Sequence, residues 1–137
     1  MAAHKTSKLS KEDKQSAMDY LFTFEKDIRH EYGHYDWKDK SLTSFCAENH
    51  IKPKVKKNTK NGSSYFWFDT KQDKDKINDI AHHFLRHVRN AIAHGNIKKE
   101  NRMMIVDDFH NQRQTMHGQI PCTLFWKFLS IVQNTKK

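Results

Sequence analysis

The chain has 137 residues, and its 25 Lys and Arg against 16 Asp and Glu leave a formal net charge of +9. That length suits one domain with one core, which nine Phe, three Trp and four Tyr can fill although only 36% of residues are hydrophobic. The charge favours a polyanionic partner, most simply RNA or DNA, and no apolar run approaches the roughly 18 residues of a membrane span.

Residues 1–9 are polar and basic and are expected to fray. They hold no apolar stretch of the signal-peptide kind, so none is expected. Cys46 and Cys122 match no metal or redox spacing, and reduced thiols fit a cytoplasmic protein. Ser10 reads as an N-cap, with Asp13 where a capping box puts Glu or Gln. A helix is expected from Lys11 to about Tyr32, with Ala17, Tyr20, Leu21, Phe24 and Ile28 inward and Gly33 ending it. His30 and His34 are four apart, but no third ligand follows, so they read as surface histidines.

Ser41 to His50 reads as a short helix with Leu42, Phe45 and Cys46 inward. Residues 52–63 are rich in lysine and have no periodic apolar face, which makes a basic loop. Its Lys54, Lys56 and Lys57 are candidate contacts to a nucleic-acid backbone, the alternative being a solvated loop. The aromatic run Tyr65-Phe66-Trp67-Phe68 has strand propensity and reads as core packing in preference to base stacking.

Asp73 to Ala93 contains no Gly or Pro, and Ile77, Ile80, Ala81, Phe84, Val88, Ala91 and Ile92 fall on one helical arc. Asp79, His82, His83, Arg86, Asn90 and Ala93 fall opposite, and Gly95 supplies the helix end. His83 and His87 are also four apart, yet nothing nearby completes a metal site, so no metal or other cofactor is expected. Near the end of this helix stands Arg89-Asn90-Ala91-Ile92-Ala93-His94. Arg offers a permanent charge with a planar fork for phosphate oxygens. His, with an ordinary pKa of about 6.5, can take a proton from a 2′-OH or give one to a leaving oxygen. Arg89 and His94 are roughly 140° apart on an ideal helix. Asn90 can orient the sugar or the imidazole, and Arg86, one turn earlier, is a candidate second cation.

Arg102 to Asp107 reads as a strand, Asp108 to Gln112 as a turn and Arg113 to Gln119 as the returning strand of one β-hairpin. Asp107 and Asp108 then face opposite ways and make no paired-carboxylate site. Pro121 opens a last helix to about Asn134, with Leu124, Phe125, Phe128, Leu129 and Val132 inward. Trp126 and Ile131 turn partly away, as residues of an oligomer interface do. The chain has no Gly-rich phosphate loop and no G-x-S-x-G.

At Arg89, Asn90 and His94 the sequence resembles the HEPN superfamily, whose signature is Arg, a polar residue, spacers and His. The motif covers six residues, and its helical context runs from Asp73 to Gln133. The resemblance implies a helical bundle that dimerises to join two motifs into one composite site. It also implies metal-independent endoribonuclease activity, often in toxin–antitoxin or phage-defence systems. The fold expected is therefore mainly α, an up-and-down bundle of about four helices with a small hairpin between the last two. The function expected is RNA cleavage with Arg89 on the scissile phosphate and His94 as general acid/base. The alternative is a non-catalytic RNA- or protein-binding module, such as the partner of a nucleotidyltransferase-like antitoxin, or a dimer that Arg and His merely hydrogen-bond together.

Overall fold

The computed structural model describes residues 6–7, 9–31, 33–57, 62–70 and 79–136. In chain order these form β1 (Thr6–Ser7), α1 (Lys11–Thr23) running into a π-helical turn (Phe24–Ile28), α2 (Lys40–Glu48), β2 (Tyr65–Phe68), α3 (Ile80–Ala93), β3 (Ile97–Glu100), β4 (Met103–His110), β5 (Arg113–Pro121) and α4 (Cys122–Gln133). Among the described residues the strands make one antiparallel sheet in the order β1-β3-β4-β5-β2. The protein is thus an α+β fold, and the expectation of a mainly helical bundle with one hairpin is overturned.

Two tight turns build the middle of the sheet. Asn101-Arg102 joins β3 to β4 and Asn111-Gln112 joins β4 to β5. All four residues have positive φ, the mark of a two-residue turn whose twist matches the strands it joins. The hairpin expected at 102–119 is therefore real, but its turn is shorter and its strands are longer. It is also flanked on both sides. β3 pairs with β4 from Ile97 opposite Val106, and β2 pairs with β5 from Phe68 opposite Met116. Even the N-terminal stretch expected to fray contributes Thr6 and Ser7, opposite Glu100 and Lys99.

Helices α3 and α4 both pack on one face of the sheet. Met104, Val106, Met116, Ile120 and Phe66 point into that layer and are fully buried. Phe66 lies T-shaped on Phe84 of α3 and stacked on Phe128 of α4, each 5.0–5.4 Å between ring centroids. Gly118 opposes Phe66, and a Cβ there would sit 2.1 Å from the ring. The missing side chain is what lets the ring lie flat on the strand. α1 covers the far side of α3, where the Tyr20 hydroxyl donates to the Leu85 carbonyl at 2.6 Å. Sheet on one side and helix on the other leave α3 buried almost all round, which is why Leu85, His82, His83 and His87 are buried too. The expectation that His82 and His83 line a polar face is corrected accordingly.

The ends of the helices are set by local chemistry. Ser10 caps α1 by accepting from the Asp13 N–H at 3.0 Å, as expected. Asp79 caps α3, its carboxylate taking the N–H of His82 at 2.9 Å and that of Gly33 at 2.5 Å. The first residues expected in that helix, Asp73 to Asn78, lie outside the described residues. At the other end Gly95 adopts φ +73, and its N–H and that of Asn96 bond back to Ile92 and Ala91. Those are the paired bonds of a Schellman cap. The first helix expected to reach about Tyr32 instead ends at Ile28, after a π turn closed by Arg29 N–H to the Phe24 carbonyl.

On α4 the inward set is as expected, but Trp126 does not face solvent. Its indole donates to Asp13 at 2.8 Å, so it belongs to the α1 contact. Among the described residues the large apolar side chains left exposed are Met18 and Phe22 on α1 and Phe109 near the β4–β5 turn.

Candidate functional site

Arg89, Asn90 and Arg86 come together; His94 stands apart from them. Arg89 Nη1 donates to the Asn90 Oδ1 at 3.2 Å, and its Nη2 pairs with Glu25 at 3.1 Å. Glu25 belongs to the π turn, and its other oxygen takes Arg29 at 3.0 Å. A π turn carries one extra residue per hydrogen-bonded ring, which re-aims the side chains around it. Here it turns Glu25 and Arg29 toward α3. Partial desolvation pushes the Glu25 carboxyl up, but the Arg29 and Arg89 guanidiniums outweigh it and hold the group below its ordinary range. The result is a cleft of about 280 Å³ that Arg29, Arg86 and Arg89 line with Glu25, Asn90 and Phe24. His94 is the C-cap of α3, exposed, and lines none of the cavities described here.

Behind Asn90 lies a buried network. His87 Nδ1 meets the Asp108 carboxylate at 2.8 Å, and its Nε2 meets the Asp69 carbonyl at 2.7 Å. The two side chains are 3% and 4% exposed, so this pair is shielded from water. Burial pushes the Asp108 carboxyl up, but hydrogen bonds from His87, Asn90 and the Phe109 N–H hold it below its ordinary value. Asn90 therefore bridges Arg89 in front to Asp108 behind. A second cavity of about 120 Å³ opens here between α3 and the end of the β4–β5 hairpin, lined in part by Arg86, Asn90, Asp108, Phe109 and Arg113.

The lysine loop makes a third cleft. Its described part lies along the free edge of β2, where Lys52 and Val55 exchange backbone hydrogen bonds with Ser64 and Phe66. That covers the edge strand. Lys54 sits 5.1 Å over the Phe68 ring and Lys57 5.1 Å over the Trp67 ring. Lys54, Lys56 and Lys57 line an open cleft of about 550 Å³ with Trp67, Phe68 and Asp69. Trp67 and Phe68 are buried, in keeping with core packing. Residues 58–61 of the loop lie outside the described residues.

The three cavities run in a row. Asp69 lines the lysine cleft and the small cavity; Arg86 and Asn90 line the small cavity and the arginine cleft. No protein-family model, curated protein or solved structure matches the chain.

Sequence reasoning missed Asp108, His87, Glu25 and Arg29. Asp108 was detectable. Along β4 the inward row Met104, Val106, Asp108 steps by two, so a carboxylate ends an apolar row. His87 follows Phe84 by three and precedes Ala91 by four, which places it on the apolar arc of α3. Asp107, as expected, faces the other way and takes His117 at 2.7 Å. Nothing in the sequence marks the π turn that brings Glu25 to Arg89. Among the described residues no group of three or more His, Cys, Asp or Glu is placed to hold a metal ion, and no helix is long and apolar enough to cross a membrane.

Proposed function

We propose that this protein is an RNA-directed, metal-independent endoribonuclease working as a homodimer. Arg89 takes the scissile phosphate, Asn90 positions the guanidinium, and His94 moves the proton. The observation that carries the reading is the cleft lined by Arg29, Arg86 and Arg89, three guanidiniums to one carboxylate, on a chain of net charge +9. A planar fork matched to phosphate oxygens, repeated three times, suits a polyanion backbone better than a point-charge surface does. Lys54, Lys56 and Lys57 extend the same chemistry along the β2 edge.

A single copy offers one His94, and cleavage needs a base and an acid. Neutral His94 of one protomer takes the 2′-OH proton. The freed oxygen attacks phosphorus as the bond to the 5′-oxygen breaks. The second protomer's protonated His94 gives its proton to that leaving oxygen. The products carry a 2′,3′-cyclic phosphate and a 5′-OH. Met18 and Phe22, 62% and 69% exposed on the helix that leads to Glu25, supply an apolar surface for the second copy. Such an enzyme works where RNA is, in the cytoplasm, and a toxin–antitoxin or phage-defence setting would hold it in check with an antitoxin protein.

One observation favours a second reading, a non-catalytic RNA-binding module. Arg89 already has a carboxylate partner, and His94 lies outside the cleft. Cleavage of RNA in excess EDTA separates the two. Under the nuclease reading the wild type cuts, and Arg89→Ala and His94→Ala each lose about 100- to 10,000-fold in rate. RNA binding without cleavage supports the module instead. Equal cleavage by all three proteins sinks the assignment of both residues.

A further inference from the structure

We infer that the 120 Å³ cavity between α3 and the β4–β5 hairpin seats one unstacked base of a single-stranded RNA, with Phe109 as its stacking surface. The inference rests on the RNA reading above and gives that site a means of choosing sequence.

The local backbone is built for it. Pairing between β4 and β5 shifts register between Asp108 and Phe109, so that Asp108 opposes Met116 while Phe109 opposes Gln114. Thr115 is the extra residue of a β-bulge. The extra residue is on β5, so β5 bends there and Thr115 joins the lining. Asp108, Phe109 and His110, at the end of β4, all line this cavity. Phe109 is 45% exposed at the cavity, an apolar ring open to a stacking partner.

Size and lining select the ligand. Cavities for whole small molecules run to about 300–1,000 Å³, so this one admits a single ring system and leaves sugar and phosphate outside. In the lining the Asp69 carboxylate is paired with Arg113 at 2.6 Å and that of Asp108 with the His87 ring at 2.8 Å, a mixed charge that disfavours a phosphate. The Thr115 hydroxyl, the Asn90 amide and the guanidiniums of Arg86 and Arg113 add donors and acceptors at different points. A base edge uses both kinds, and an unstacked base also needs a flat face to lie on. Position completes the argument. The cavity adjoins the lysine cleft through Asp69 and the arginine cleft through Arg86 and Asn90. A strand with one base seated here has its neighbouring phosphates on basic groups at both sides, one of them Arg89.

The test is binding, read separately from cleavage. Fluorescence anisotropy in EDTA would compare short labelled homopolymers of A, C, G and U with an abasic ribose-phosphate chain of equal length, on a His94→Ala background so that the RNA stays intact. At least one homopolymer should bind on the order of tenfold tighter than the abasic chain, and Phe109→Ala should remove that advantage while leaving the abasic affinity unchanged. Thr115→Val, which keeps the volume and removes one hydroxyl, should change the ranking of the four homopolymers. Equal affinity for base-containing and abasic chains, or an unchanged preference in Phe109→Ala, overturns the seat and leaves the nuclease reading standing. A preference that Phe109→Ala abolishes, in a protein whose wild type never cuts RNA in EDTA, keeps the seat and ends the nuclease reading. Failure to bind any of the chains overturns both.

Discussion

Helix α3 carries two ion pairs two residues apart, and they behave as opposites. His87 and Asp108 are 3% and 4% exposed and tie the helix to the sheet beneath it. Arg89 and Glu25 are 35% and 43% exposed and tie the helix to the π turn beside it. Asn90 touches both pairs. In the buried pair both side chains have lost their water, so removing either partner leaves a stranded polar group. In the exposed pair solvent can replace either partner at small cost, so an incoming phosphate can as well. One end of the Asn90 bridge is therefore anchored and the other is open to exchange, which is the arrangement a site for a mobile polyanion needs.

The largest effect expected from this contrast is at Asp108. Asp108→Ala strands the buried His87 ring nitrogen and the Asn90 amide and should cost about 2–4 kcal/mol in urea unfolding. A cost of about 1 kcal/mol or less, the range of a surface pair, breaks the comparison. Acid should sharpen it next. Burial, with help from the Arg86 charge, holds the His83 imidazole down to about 4. The unfolded chain has an ordinary histidine near 6.5, so between those values it binds a proton that the folded chain refuses. Stability is therefore complete above about pH 6.5 and falls as pH drops toward 4, by about 3 kcal/mol at the bottom of that window. Asp108 enters lower. Its folded pKa lies below its unfolded one, so its contribution is kept above about pH 4 and lost only as pH falls further. Unfolding midpoints across this range check both, since His83→Gln should make the upper slope shallower, the part left being that of His82, which burial also holds below its ordinary value, and leave the lower one.

The same contrast explains what the sequence could show. Helices stand out where apolar residues repeat at three and four, so α2, most of α3 and the inward face of α4 were readable from spacing alone. The hairpin was readable because Met103 to Val106 is apolar and Asn111 follows. The remaining strands carry little of their own signal. β3 is Ile-Lys-Lys-Glu, with one apolar residue, and it becomes a strand because β4 offers it a partner. β1 is two residues long. Edge pairing of this kind is tertiary, so a period-based reading yields helices with one hairpin and misses the sheet. At the site, Arg89, Asn90 and Arg86 were legible as polar residues on one helix. Asp108 escapes a search for paired carboxylates because its partner is a histidine. Glu25 was invisible because a helix that changes from α to π leaves no mark in composition.

Glu25 gives the smallest expected effect on stability and the sharpest on function. Arg29 and the carboxylate itself are exposed and Arg89 is only half-buried, so Glu25→Ala should leave the melting temperature nearly unchanged. Its effect should appear in the salt dependence of RNA binding. If Glu25 competes with phosphate for Arg89, removing it frees a guanidinium for the backbone. The slope of log affinity against log salt should then steepen by about 0.7, the value for one added phosphate contact on a single strand. If Glu25 instead holds Arg89 in the orientation that phosphate uses, the variant should bind more weakly with an unchanged or shallower slope. The first outcome makes the exposed pair a gate that RNA opens. The second makes it a second anchor, and α3 would then present two fixed pairs with no exchangeable one.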